Sequence, residues 1–244
     1  MLKDRIVEWV RNYLNSFGGN TKAIIGISGG KDSTVAAKVC VEAVGADRVI
    51  GVLLPQGEQH DIDVSYAVCR YLGIKYYEIN IESTCYKLAA QINKAMNVNT
   101  DDYPVYYSNT PARIRMTALY GVAAIIGDSR VVNTCNRSED YVGYSTKFGD
   151  CAGDFSPLSN LTVREVKFLG HQLGIPAEFI EKAPEDGLSG KTDEDNLGFS
   201  YSTLDDYLLY DVKPDKKILE NIERRHKNNL HKLEPMPSYK PWEE

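Results

Sequence analysis

Apolar positions change period several times along the 244-residue chain. Residues 4–16 place Ile6, Val7, Val10, Tyr13 and Leu14 at helical spacing, which predicts an amphipathic opening helix. From Lys22 a β-branched run, Ala-Ile-Ile-Gly-Ile, predicts a strand that ends in Ser28-Gly29-Gly30, and a helix-compatible stretch from Ser33 to Val44 follows. The unit then repeats, with Arg48 to Leu54 strand-like, Asp61 to Leu72 helical, Lys75 to Ile81 strand-like and Ser83 to Met96 helical. Alternation of this kind predicts an α/β fold, a single-domain parallel sheet with helices on both faces.

Asn97 to Tyr107 is polar and turn-rich and precedes an expected long helix from Pro111 to Ile126; Arg130 to Thr134 supplies a fourth strand. Cys135 to Leu161 is dense in Gly, Ser, Asp and Asn, so ordered loops rather than a regular element are expected there. Thr162 to Leu173, Thr203 to Leu209 and Pro214 to Leu230 read as helices, and Pro184 to Ser200 has the Gly and Asp content of a mobile lid. No linker divides the chain, which reads as one domain spanning residues 1–244.

Hydrophobic residues at 43% and charged residues at 25% are ordinary for a globular protein. The longest apolar stretches fall short of the roughly 20 residues a membrane helix needs, and the N-terminus lacks a signal-peptide core, so a cytoplasmic location is expected. Five cysteines without a CxxC pair argue for free thiols rather than a disulfide framework or zinc site. A net charge of -6 counts against broad binding of nucleic acid and leaves small anionic ligands open, given a local gathering of basic residues.

An anion site is expected at Gly26 to Ser33. A bend of Ser, two Gly and Ser at a helix N-terminus aims backbone N–H groups at one point where the helix dipole also favours an anion. Gly26, Ile27, Ser28, Gly29, Gly30 and Ser33 thus read as a phosphate cradle. Lys31 adds a cation, and Asp32, misplaced for a bare anion, makes sense as a magnesium ligand. A Walker A loop needs Ser or Thr directly after Gly-Lys, and Asp32 intervenes. Gly26-Ile27-Ser28-Gly29-Gly30 also satisfies the G-x-S-x-G elbow of α/β-hydrolases, a rival reading in which only His226 or His231 could close a triad. A purely structural glycine turn is the third reading.

Ser-Gly-Gly-x-Asp-Ser resembles the pyrophosphate loop of the N-type ATP pyrophosphatases, which have an adenine nucleotide alpha hydrolase-like, Rossmann-like fold. The rest of the chain resembles ammonia-dependent NAD synthetases nearly end to end. Leu54-Pro55-Gln56-Gly57-Glu58-Gln59-His60-Asp61 is similar to a segment those enzymes place near adenine. Asn109 to Met116 resembles a helix start whose Arg, here Arg113, contacts deamido-NAD, and Asn133 to Glu139 a strand-end segment whose Thr meets ATP and whose Glu binds magnesium, here Thr134 and Glu139. Gly143 to Asp150 with Asp154 resembles the segment whose Lys and final Asp, here Lys147 and Asp154, hold the dinucleotide. Lys191 to Glu194, with Tyr201, is similar to the family's mobile loop and the helix after it. His231-Lys232 is similar to a C-terminal pair that reaches substrate, with His226-Lys227 a competitor. Val163 and Glu185 depart from a common Lys and a Ser or Thr, with Arg164 or Lys191 available to compensate.

The resemblance implies ATP-dependent amidation of deamido-NAD by free ammonia, giving NAD, AMP and pyrophosphate, by a homodimer whose long helix near Pro111 joins the interface. It implies ATP and Mg2+ as cofactors and magnesium on Asp32 and Glu139, with no glutaminase domain; because ammonium is not a nucleophile, a carboxylate such as Asp154 is expected to take its proton in a dry site. A nucleotide-binding module without turnover, or a tRNA-thiolating enzyme using Cys135 or Cys151, are the alternatives from other classes.

Overall fold

The computed structural model describes residues 1–181 and 192–240. Four strands, β1 (Lys22–Gly26), β2 (Val49–Leu53), β3 (Lys75–Glu78) and β4 (Ser129–Val131), form one parallel sheet in the order β3-β2-β1-β4. Helices α1 (Leu2–Asn15), α2 (Lys31–Val44), α3 (Ile62–Leu72), α4 (Glu82–Met96) and α5 (Pro104–Ile126) alternate with these strands. After β4 come α6 (Arg137–Val142), α7 (Val163–Gln172), α8 (Ala177–Ile180), α9 (Asp193–Leu197), α10 (Tyr201–Tyr210) and α11 (Lys216–Leu233).

The period of two within each strand sorts side chains between two faces. Ala23, Ile25, Val49 and Leu53 share a core with Val10 and Leu14 of α1, Val35 and Val39 of α2 and Leu169 of α7. Ile24, Ile50, Val52 and Val131 pack on the other face against Met116, Leu119 and Ala123 of α5. Each Val, Leu, Ile or Met side chain among them contributes about 1.5–3 kcal/mol on burial. A third apolar cluster, Val142, Val163, Leu197, Phe199, Tyr201, Leu204 and Ile222, ties α6, α7, α9, α10 and α11 together beside the sheet.

The parallel sheet covered on both faces agrees with the alternating pattern, and four boundaries do not. The long helix begins at Pro104, not Pro111: Pro104 takes the first turn, where a missing N–H is harmless, and the helix absorbs Pro111 inside it at the loss of one backbone bond. The fourth strand is Ser129–Val131, with Val132 continuing only as a bridge to Phe155. The expected loop region Cys135 to Leu161 contains α6, which the buried Asn136 caps by accepting from the Glu139 N–H. Of the expected lid, Glu185 and Lys191 lie outside the described residues. Thr192 to Ser200 holds regular structure: Thr192 and Asp195 form a reciprocal capping box on α9, and Leu197 and Phe199 are buried.

The chain runs from β1 through α2 to β2 on one side, while β4 pairs with the opposite edge of β1. The reversal leaves a crevice beyond the carboxyl ends of β1 and β4, where open α/β sheets bind ligands. Ser28 to Ser33 leaves β1 there, and Thr134 to Glu139 leaves β4.

Candidate active site

The turn after β1 is built from its own hydroxyls. Ser28 Oγ lies 3.1 Å from Ser33 Oγ and accepts from the Gly30 N–H at 3.2 Å, while Ser33 Oγ donates to the Gly30 carbonyl at 3.1 Å. Gly29 has φ +77°, and a Cβ there would stand 3.2 Å from Val64 and Ser65, so the bend requires glycine. No side chain caps α2, which leaves the N–H groups of its first turn directed into the crevice. The geometry matches the expected anion cradle. It counts against the hydrolase elbow, because Ser28 pairs with Ser33, His226 stacks on Tyr141 and the His231 ring nitrogen bonds the Asn228 carbonyl.

The charged groups of the crevice are tightly coupled. Lys31 is buried, and its ammonium lies 2.8 Å from Asp32 Oδ2. Burial opposes that charge, but Asp32 and then Glu139 outweigh it and hold Lys31 above its ordinary pKa. Desolvation, then the Asp32 charge, pushes Glu139 well above the usual carboxylate range, with Lys31 opposing. Asn136 joins the two acids: its Nδ2 donates to Asp32 Oδ1 at 3.0 Å and its Oδ1 accepts from the Glu139 N–H at 3.0 Å. Asp193, buried at the start of α9, adds negative charge to both Lys31 and Glu139.

Asp32 and Glu139 are thus brought together as expected, and Thr134 lies on the same strand end. Among the described residues no group of three or more metal-ligating side chains is assembled. A pair of carboxylates that repel each other at a phosphate cradle nevertheless suits Mg2+, which takes one or two protein carboxylates and completes its shell with water and phosphate oxygens. Sequence reading gave Asn136 no role and passed over Asp193. An Asn three residues before a Glu, opening a helix, was the signal that could have found the first.

A second group gathers around residues 143–156. Lys232 Nζ donates to the Gly143 and Ser145 carbonyls, both at 2.7 Å, Lys147 Nζ bonds the His231 carbonyl, and Arg113 Nε donates to the Lys147 carbonyl at 3.1 Å. Lys147 and Lys232 line a cavity of about 260 Å³ with Tyr120 and Phe148. Lys232 and Asp154 line an adjoining cavity of about 430 Å³, and Cys151, Gly153 and Lys232 border both. Of the two His-Lys pairs, the second therefore reaches the cavities, through Lys232 and the His231 backbone. The dry site expected for Asp154 is absent from the single chain: the residue is exposed, and its carboxylate accepts from the Val131 N–H at 2.7 Å and the Tyr120 hydroxyl at 3.1 Å. Arg113 is also exposed and lines neither cavity.

The two groups meet through Asn133, whose Nδ2 donates to the Asp150 and Ala152 carbonyls and whose Oδ1 accepts from the Cys135 N–H and Ser156 Oγ. Val163, the expected departure, adds no charge to the crevice. This side chain is buried in the third apolar cluster. Arg164 does not replace the missing cation, because Asp206 Oδ1 at 2.7 Å and Ser202 hold its guanidinium.

A family model described as NAD synthase matches residues 2–241. The NH3-dependent NAD+ synthetase of Pyrococcus furiosus is 36% identical over 93% of this chain and 90% of its own length. The structure of an NMN synthetase from Francisella tularensis superposes with a TM-score of 0.86 at 32% identity, covering 98% of this chain and 97% of that one. The NH3-dependent NAD synthetase of Campylobacter jejuni superposes with a TM-score of 0.74 at 26% identity, covering 98% and 96%. With its phosphate turn, paired acids and adjoining cavities on a fold shared almost end to end with these proteins, the chain belongs to the NAD synthase family.

Proposed function

We propose that the chain is an ammonia-dependent NAD synthetase, a ligase that uses ATP to amidate the nicotinate carboxylate of deamido-NAD, releasing NAD, AMP and pyrophosphate. The observation that carries this reading is the uncapped phosphate turn beside the Asp32-Asn136-Glu139 bridge, with two adjoining cavities that share Lys232, the larger of them bordered by Asn133. ATP-splitting and acceptor-holding chemistry are both provided for.

The first step sets a carboxylate against the α-phosphate of ATP, two anions that repel until counter-charge draws them together. The turn of Gly29, Gly30, Ser28 and Ser33 accepts the leaving pyrophosphate, with Lys31 as the buried cation beneath it. Mg2+ held by Asp32 and Glu139 supplies further positive charge to the phosphates when bound. Thr134, at the end of β4, lies on the nucleotide side. Lys147 and Lys232 hold the acceptor in the two cavities, and Arg113 supports Lys147 through its carbonyl. Ammonia then displaces AMP from the acyl adenylate.

Ammonium must lose a proton before it attacks, and Asp154, bonded to Tyr120, is with Asp140 a carboxylate lining the larger cavity and the one assigned this role. A second copy of the chain would cover it. Tyr120 is exposed on α5, and the same helix carries Val105 at 69% and Ile125 at 87% exposure, which supports α5 as the homodimer contact that dries this site. Free thiols at all five cysteines suit a reducing compartment such as the cytoplasm, and among the described residues no helix is long and apolar enough to cross a membrane.

The test is incubation with ATP, magnesium, ammonium and deamido-NAD, followed by chromatography for NAD, AMP and pyrophosphate. ADP and phosphate as products, or no turnover, would sink the reading. A second reading, amidation of nicotinate mononucleotide to NMN, is favoured by the better superposition on the Francisella NMN synthetase. Parallel assays with the two acceptors decide between them by the ratio of kcat/KM.

A further inference from the structure

Lys31 opens α2 at the exit of the phosphate turn, yet its side chain is only 4% exposed. Its ammonium lies 2.8 Å from Asp32 Oδ2, and among the described residues Asp32 is its one hydrogen-bond partner. An ammonium carries three N–H donors, and buried donors are nearly always paired. Two left over beside an anion cradle point to a partner that arrives with a ligand.

Asp32 is engaged on both oxygens, Oδ2 by Lys31 and Oδ1 by the Asn136 amide at 3.0 Å. The two neighbours differ in what they allow. A carboxylate oxygen has two lone pairs, so Oδ1 can keep the neutral amide and still take a metal ion. Lys31 is charged, and a divalent cation on either oxygen of so small a group would face it across a buried, weakly screened gap. Lys31 and a metal ion therefore compete for Asp32. A polyphosphate removes the competition, because the flexible four-carbon stem starts at the turn itself and can swing the ammonium from Asp32 to phosphate oxygens. We propose that Lys31 is the resident counter-ion of the Asp32 metal position: it keeps divalent cations off Asp32 in the nucleotide-free protein and moves to the β,γ-phosphates of ATP when they enter, so that metal and nucleotide bind together. The balance is one to one, so a second carboxylate set against Asp32 would restore a place for metal without nucleotide. The inference rests on the ATP-dependent reading given above.

The test titrates Mn2+, a paramagnetic stand-in for Mg2+, into nucleotide-free protein and follows loss of the free-ion electron paramagnetic resonance signal. Wild type, Lys31→Met and Lys31→Met/Asp32→Asn are compared after circular dichroism has shown that each is folded. Lys31→Met should bind Mn2+ at least about 10-fold more tightly than wild type, and the added Asp32→Asn change should abolish that gain. Calorimetry with ATP and with AMP in EDTA reads the other half of the exchange. Lys31→Met should raise the Kd for ATP about 10-fold or more, the scale of a hydrogen bond to a charged group, and leave that for AMP unchanged. Equal Mn2+ affinity in wild type and Lys31→Met, a gain that survives Asp32→Asn, or an unchanged Kd for ATP would each overturn the proposal. Saturable uptake of Mn2+ by nucleotide-free wild type at micromolar concentrations would do so without any variant. Wild type that binds no ATP with magnesium present would overturn the functional reading itself, a result distinct from failure of the Mn2+ comparison.

Discussion

Asn136→Asp changes one NH2 group to an oxygen and tests whether the bridge between the two acids works as described. Asn136 is fully buried, donates to Asp32 at 3.0 Å and caps α6 at Glu139. The aspartate keeps the cap but sets a second carboxylate oxygen against Asp32. Two unit charges 3 Å apart at an effective dielectric of 20 repel by about 5–6 kcal/mol. The site can instead keep one carboxyl protonated, at a cost of about 1.4 kcal/mol for each pH unit above its ordinary value near 4. The loss of stability is then about 5 kcal/mol at pH 8 and only about 1–2 kcal/mol at pH 5. The sign follows because the folded-state pKa is raised: stability is full below the unfolded value and falls as pH rises. Asn136→Ala, which loses cap and donor without adding charge, should cost about 2–3 kcal/mol at both pH values. Urea unfolding followed by circular dichroism at pH 5 and 8, without magnesium, measures all three proteins. Equal penalties for Asn136→Asp at the two pH values would refute the reasoning, and so would failure of magnesium to recover part of its stability at pH 8.

Burial pushes the Cys40 thiol up to about 12, so at pH 8 its thiolate fraction is on the order of 10⁻⁴. Native protein treated with iodoacetamide should leave Cys40 unlabelled by peptide mass spectrometry until urea is added, and stability should fall as pH rises from about 9 toward 12. Gly143 has φ +65°, and a Cβ there would stand 2.1 Å from Cγ of Asn229 on α11. Gly143→Ala should therefore cost about 4 kcal/mol or more, and Asn229→Gly in the same chain should recover at least about 2 kcal/mol of that in urea titrations, leaving chiefly the left-handed backbone term. Ile125→Glu should turn a dimer into a monomer by size-exclusion chromatography with light scattering while changing monomer stability by less than about 0.5 kcal/mol; a dimer that survives removes α5 from the interface.

The alternating strand and helix periods carried the parallel sheet, and Ser28 to Ser33 carried the phosphate turn, because both depend on local pattern. Asp32 was legible from its place in the phosphate turn, and Glu139 only through the family resemblance of Asn133 to Glu139. Their junction was not, since Asn136 lies 104 positions from Asp32 and the contact exists only once β4 pairs with β1. Pro111 misled for a different reason: proline more often marks a helix start than a helix interior, and tertiary packing against the sheet overrode that preference. The α9 region read as a lid because its Gly and Asp content is loop-like, while Leu197 and Phe199 anchor it from beneath.

Asn133 has a consequence for the order of events. One buried amide holds the Asp150 and Ala152 carbonyls on the acceptor side and the Cys135 N–H on the nucleotide side. Were the 147–156 segment to move around an incoming acceptor, these bonds would carry the movement to the segment between β4 and α6 that holds Thr134. Thermodynamic reciprocity then requires that whatever factor the acceptor adds to the affinity for ATP, ATP adds to the affinity for the acceptor. Coupling of that kind would let each substrate register the presence of the other through one asparagine side chain.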